Sequence, residues 1–185
     1  TISKGYQSIN GNAFTENTFP TNETGIYAGV SIRPAIGWKI DAYADFYKFP
    51  WLKFLVDAPS YGKDFLAQVT FTPNRQVEIY TRFKTETKQA NQSDNTTVTN
   101  FLVKLPKQDW RTQISYKLNT SFTIRNRVEL LWFDNNGVNK ANGFLTFFDF
   151  MYKPMLKPLS AVLRLQYFET DDYNSRIYAY ENDIL

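Results

Sequence analysis

Three features of the chain predict an all-β fold, an antiparallel up-and-down β-barrel of the membrane-spanning kind. The first is the stretch Ser121 to Phe133, in which Phe122, Ile124, Asn126, Val128, Leu130 and Trp132 alternate with Thr123, Arg125, Arg127, Glu129, Leu131 and Phe133. Successive side chains of a strand point to opposite faces, so one face is mostly apolar and the other carries two arginines and a glutamate. The run is about twice the usual strand length, and at ~3.3 Å per residue and a ~40° tilt some ten residues cross the ~25 Å apolar band of an outer membrane. The second feature is a succession of connections that alternate short and long, as barrels with short periplasmic turns and longer outer loops do. A Greek-key sandwich has no reason to alternate in this way. The third is composition: 17% aromatic residues, with 16 Phe and 12 Tyr, at a mean hydropathy of −0.43. A barrel hides its membrane signal because each apolar residue alternates with a lumen-facing polar one.

The same composition excludes several function classes. The 185 residues suffice for one domain. There is no Cys, hence no disulfide framework, thiolate metal site or redox motif. There is no His, which removes the commonest general base and metal ligand. A net charge of +3, spread along the chain, predicts no nucleic-acid footprint. No run of about 18 apolar residues is present for a transmembrane helix. The chain starts at Thr1 without a basic or apolar leader and stops at Leu185 inside an alternating segment, and it reads as part of a longer protein.

In order, a weakly patterned segment covers Ile2 to Ile9, followed by an Asn/Thr-rich stretch from Asn10 to Thr24 that favours turns. Gly25 to Arg33 predicts a strand, and Pro34 to Gly37 a tight turn. Trp38 to Phe49 predicts the next strand, with Ile40, Ala42, Ala44 and Phe46 opposed to Lys39, Asp41, Tyr43, Asp45 and Tyr47. An apolar loop spans Pro50 to Lys63, a strand Asp64 to Thr72, a turn Pro73 to Arg75 and a strand Gln76 to Thr87. Lys88 to Asp109 is the longest connection. Strands follow at Trp110 to Leu118 and Ser121 to Phe133 around the Asn119-Thr120 turn. After a loop from Asp134 to Asn142 come strands Gly143 to Tyr152 and Leu159 to Phe168, and a last alternating segment from Arg176 to Leu185. This makes about ten strands. No helical periodicity, fixed-period repeat or linker interrupts them, so residues 1–185 form a single barrel domain or part of one. Aromatic residues near strand ends (Trp38, Phe46, Phe49, Trp51, Trp110, Trp132, Phe133, Tyr152) predict the interfacial girdles of a barrel.

The lumen face then holds Asp41, Asp45, Glu78, Arg82, Arg125, Arg127, Glu129, Asp149 and Arg164, where ions of both signs pair across strands. Asp41 and Asp45 share one strand face about 13 Å apart by strand rise, too far for two carboxylates to act on one bond. Asp94-Asn95 and Asp171-Asp172 lack the spacing of a calcium loop. No catalytic, cofactor or metal site is expected. Barrel enzymes of the omptin and outer-membrane phospholipase kinds rely on a histidine, and this chain has none. The alternative is a soluble lipocalin-like barrel binding a small apolar ligand, its dry interior built from Ile124, Val128 and Leu130.

Three strings carry a resemblance: Tyr47-Lys-Phe-Pro-Trp-Leu-Lys53 with Val56-Asp-Ala-Pro59, Phe122-Thr-Ile-Arg-Asn-Arg-Val-Glu129, and Tyr173-Asn-Ser-Arg-Ile-Tyr-Ala-Tyr-Glu-Asn-Asp183. In these the chain resembles uncharacterised outer-membrane barrel proteins of the Bacteroidota that carry N-terminal helix-hairpin-helix modules. The resemblance implies a bacterial outer-membrane location and further strands after the last string; outer-membrane lipid is the expected partner, and envelope-complex subunits would fit a chain without an obvious active site. It implies no DNA contact in these residues, which hold no Gly-apolar-Gly hairpin between helices. The expected function is a non-enzymatic pore, transporter or envelope-complex component.

Overall fold

A computed structural model describes residues 1–6, 15–16, 21–92, 97–135, 137 and 139–180. Among them are eight strands and no helix: β1 (Thr24–Ile32), β2 (Trp38–Phe49), β3 (Ser60–Phe71), β4 (Val77–Asn91), β5 (Leu102–Lys117), β6 (Phe122–Asn135), β7 (Asn139–Tyr152) and β8 (Ala161–Thr170). They form one antiparallel sheet in chain order, each strand paired with its sequence neighbours. No ladder joins β1 to β8, so the sheet is open and these two strands are its edges.

The number of strands is smaller than the pattern predicts. Of the first segment, Ile2 makes only an isolated bridge to Glu23, and residues 7–14 lie outside the described residues. The last segment is not a strand: residues 176–180 are irregular, and residues 181–185 lie outside the described set. Asp172 takes the chain off the edge of β8, its Oδ1 accepting hydrogen bonds from the amides of Asn174 (2.6 Å) and Ser175 (3.1 Å). The strap 171–180 then lies on the sheet. Ser175 is fully buried, and its carbonyl oxygen sits 2.0 Å from where a Cβ on Gly143 would be, so only glycine lets the strap approach.

Connections also differ. β4 and β5 pair from Val77↔Tyr116 out to Asn91↔Leu102, so most of the expected 88–109 loop is strand. Pro106 is tolerated because the ladder to β6 starts only at Lys107↔Phe133, leaving 102–106 with β4 alone as partner. Similarly, β6 and β7 pair up to Asn135↔Asn139, which shrinks the expected 134–142 loop to a short turn. Short and long therefore alternate through 33–37, 50–59, 72–76, 92–101 and 118–121, and the pattern then breaks at 136–138 and 153–160.

The faces are partitioned inside out relative to a soluble sheet. Buried side chains belong to one face, here called inner: Tyr47, Phe49, Asp45, Asp64, Gln113, Glu129, Leu131, Phe133, Leu145, Phe147 and Asp149. The other face exposes Ile26, Val30, Trp38, Phe46, Phe83, Trp110, Ile114, Trp132, Phe150, Leu163 and Leu165. Ile124, Val128 and Leu130, which a dry ligand-binding interior would need, lie on this outer face.

Two expected girdle aromatics, Phe49 and Phe133, point inward instead, and Trp110 sits in mid-strand because β5 starts early. Aromatic pairs do line the outer face near the 33–37, 72–76, 118–121 and 153–160 end. Trp38 meets Phe71 at 4.5 Å and Phe122 meets Tyr152 at 4.7 Å between ring centroids.

Candidate functional site: an ionic inner face and a charge-free outer belt

Directly paired residues of an antiparallel sheet share a face, so the register places every expected charged residue. Asp41, Arg82 and Glu129 fall in one cross-strand row, Asp41–Gln68–Arg82–Arg111–Glu129–Leu145. Glu78, Arg125, Asp149 and Arg164 fall in another through Ser115, with Arg127 in the row between and Asp45 in the row through Asp64 and Glu86. All nine share the inner face.

They engage through partners that the sequence reading left out. Arg111 grips the buried Glu129 with both arms, Nε to Oε2 at 2.7 Å and Nη2 to Oε1 at 2.5 Å. Arg82 Nη2 donates to Asp109 Oδ1 at 3.1 Å. Lys84 Nζ lies 2.8 Å from Asp64 and 3.7 Å from Glu86, which also pairs with Lys88. The carboxylates of Asp64, Asp109 and Glu129 are thus taken out of water beside a cation, as the cost of burying a lone charge demands.

At the other end, Asp149 is wholly buried and accepts from Arg164 Nε at 2.6 Å and Nη2 at 2.7 Å, with Arg125 Nη1 4.0 Å away. Arg127 donates to the neutral Gln113 Oε1 at 2.9 and 2.7 Å. The guanidinium carbons of Arg127 and Arg164 stand over the Phe147 ring, 5.0 and 4.1 Å from its centroid. Arg164 and Arg125 thus flank the Asp149 carboxylate, and Arg127 lies beside them over the Phe147 ring.

Not every expected residue joins the network. Asp41 pairs with Lys39 on its own strand at 2.8 Å. Asp45 stands across from Asp64, a like charge, and Glu78 is exposed; neither makes an ion pair among the described residues.

The outer face is the complement. In the rows from Phe122 to Trp132 it carries one charged side chain, Glu169 at the end of β8, in the row of Leu130 and Trp110; Lys48, Lys63, Lys104, Asp134 and Lys140 all lie beyond these rows toward the 50–59 and 92–101 end. On β6 the uncharged run from Phe122 to Trp132 is about 33 Å long, or about 25 Å along the normal at ~40° tilt. Polar groups within this belt satisfy one another. Trp110 Nε1 and Thr112 Oγ1 bond Thr81 Oγ1 at 3.0 and 3.1 Å, Asn126 Nδ2 donates to the Phe147 carbonyl at 3.0 Å, and Thr146 Oγ1 to the Arg127 carbonyl at 3.0 Å.

Loops at the charged end are tied by amides. Asn22, at φ 56°, donates to the carbonyl of Trp51 at 2.7 Å and accepts from its N–H at 2.9 Å. The side chain of Asn91, then the side chain and N–H of Asn100 (2.8 and 3.3 Å), hold the Asp57 carboxyl below the usual carboxylate range. A carboxyl depressed in the folded state contributes stability above its unfolded pKa of about 3.9 and loses it as pH falls through the folded value. The protection factor for amide exchange at Asn100, which corrects for the intrinsic pH dependence, is therefore expected to hold above that window and to fall below it, and Asp57→Asn to abolish this pH dependence. A flat profile in the wild type contradicts this role.

Of the loop residues weighed for calcium, Asp172 shapes the turn into the strap and Asp171 Oδ2 accepts from the Asn142 amide at 2.7 Å; residues 94 and 95 lie outside the described set. No group of three or more metal-ligating side chains occurs among the described residues. Fold and faces together define a class: an antiparallel meander with an ionic inner face and an outer belt charged only at its margin. Set against known protein families, curated proteins and solved structures, the chain matches none.

Proposed function

We propose that this sheet is wall of an outer-membrane β-barrel, and that the protein is a non-enzymatic pore, transporter or envelope-complex component with a charged lumen. The outer belt carries the reading. In hydrocarbon polar groups need internal partners and a central charge is costly; the belt has a charge only at its margin, Glu169 of β8, and Thr81, Trp110, Thr112, Asn126 and Thr146 within it are bonded inside the protein. Its height of about 25 Å matches the apolar band of such barrels. On this reading the lumen is lined by the nine inner-face residues from Asp41 to Arg164, and outer-membrane lipid is the first partner. The edges of β1 and β8 must then also be paired, since an open edge in lipid leaves backbone groups unsatisfied. The resemblance to the Bacteroidota barrel family belongs to the same proposal.

The cluster of Arg125, Arg127 and Arg164 around Asp149 gives the pore a sign. Arg125→Gln and Arg127→Gln remove positive charge, so the reversal potential in a planar bilayer under a salt gradient is expected to move toward cation selectivity, most in the double variant. Wild-type reversal potential and conductance in both variants would remove the lumen assignment.

A further inference from the structure

A cavity of about 240 Å³ opens on the inner face where the β4–β6 ladder meets the strap. That is smaller than the ~300–1,000 Å³ of sites for drug-sized ligands. Its wall contains five cationic side chains and three carboxylates. Arg82, Arg111 and Lys84 are taken up by the acidic partners described above. Lys107 and Arg176 are not: among the described residues neither makes an ion pair.

Lys107 faces inward in the row of Glu86 and Phe133. Arg176 comes from the strap, where its geometry is set in advance. Its Nε donates to the Tyr173 carbonyl at 3.1 Å, and its guanidinium carbon lies 3.3 Å from the Tyr173 ring centroid and 5.7 Å from that of Tyr178. Ile177 anchors this stretch against Leu131, Phe133 and Ala141, beside the close approach of Ser175 to Gly143. The sheet supplies one cation without a salt bridge, Lys107 across from Glu86, and the strap the other.

We propose that this cavity binds the oxyanion group, phosphate or carboxylate, of a small solute between Lys107 and Arg176. Two cations without salt bridges in a partly enclosed site favour an anion that makes charge-assisted bonds to both, and a guanidinium already held by its neighbours loses little freedom on binding. The strap thereby becomes part of the site rather than a simple cover. This goes beyond the pore reading and does not depend on it, because binding at the inner face requires no conduction.

The test is calorimetric titration of the full-length protein in non-ionic detergent at low ionic strength, with inorganic phosphate and succinate as separate probes. One saturable event with either probe is expected, and the probe that binds identifies a phosphoryl or a carboxylate ligand. Lys107→Gln and Arg176→Gln should each weaken it about tenfold or more. Neither substitution breaks a salt bridge, so the fold is expected to be retained, as circular dichroism would verify. Gly143→Val, which displaces the strap through its backbone, should weaken binding as much as Arg176→Gln does, whereas Lys140→Gln on the outer face should change nothing. Absence of saturable binding by both probes, or binding unchanged in both Lys107→Gln and Arg176→Gln, overturns the site.

Discussion

Val128→Arg is expected to cost about 2–4 kcal/mol of folding stability in lipid, the penalty for a basic side chain at the mid-plane of a barrel wall. Val128 sits near the centre of the outer belt on β6, opposite Thr112 on β5 and Thr146 on β7. No charged side chain lies in those belt rows to receive a guanidinium, and the neighbouring hydroxyls are already engaged with Thr81 and the Arg127 carbonyl. On the barrel reading, arginine at a strand end could reach the interface, whereas from mid-belt it would meet hydrocarbon. If the outer face met water, the same substitution would fall within the ~0.5 kcal/mol typical of surface positions. Urea titrations of wild type and variant refolded into vesicles separate these outcomes.

Asp149→Asn is the second expected large loss, about 3–5 kcal/mol, because it leaves a bidentate arginine without its counter-charge in a buried setting. Asp149 is fully buried, Arg164 spends two nitrogens on it, and Arg125 approaches from the other side. An amide cannot offer both oxygens, and Arg164 and Arg125 lose the carboxylate they share. The compensating change is Arg164→Gln in the Asp149→Asn background. It removes the stranded cation and should recover part of the loss, measured as a coupling energy in the double-mutant cycle. Additive losses would show that Arg164 and Asp149 do not act as a pair.

How much of this was readable beforehand follows from the period of a strand. β2 has the bounds that the alternation from Trp38 to Phe49 marks, because Ile40, Ala42 and Ala44 against Asp41, Tyr43 and Asp45 leave no other reading. The nine charged residues share a face for the same reason: two-residue alternation, once phased, fixes the side of every later residue on that strand. Their partners were not readable. That Arg111 meets Glu129 and Arg82 meets Asp109 depends on the β4–β5–β6 register, which no single strand contains. Asp109 falls at the end of the expected 88–109 loop, because the polar run from Gln89 to Thr97 reads as a connection.

The strap misled for a related reason. Arg176-Ile-Tyr-Ala-Tyr180 alternates like a strand, yet its conformation is decided upstream by the Asp172 turn and across the sheet by the bare backbone of Gly143. A local pattern cannot register a contact with a glycine more than thirty residues earlier in the chain.

The most direct measurement is tryptophan quenching in vesicles whose phospholipids carry bromine on their acyl chains. Single-tryptophan variants that keep Trp110 or Trp132, both on the outer face, are compared with the water-soluble quencher acrylamide. If the belt faces lipid, both residues are quenched strongly by the brominated chains and weakly by acrylamide. The reverse order, with acrylamide reaching both and bromine neither, would place the outer face in water and end the barrel reading.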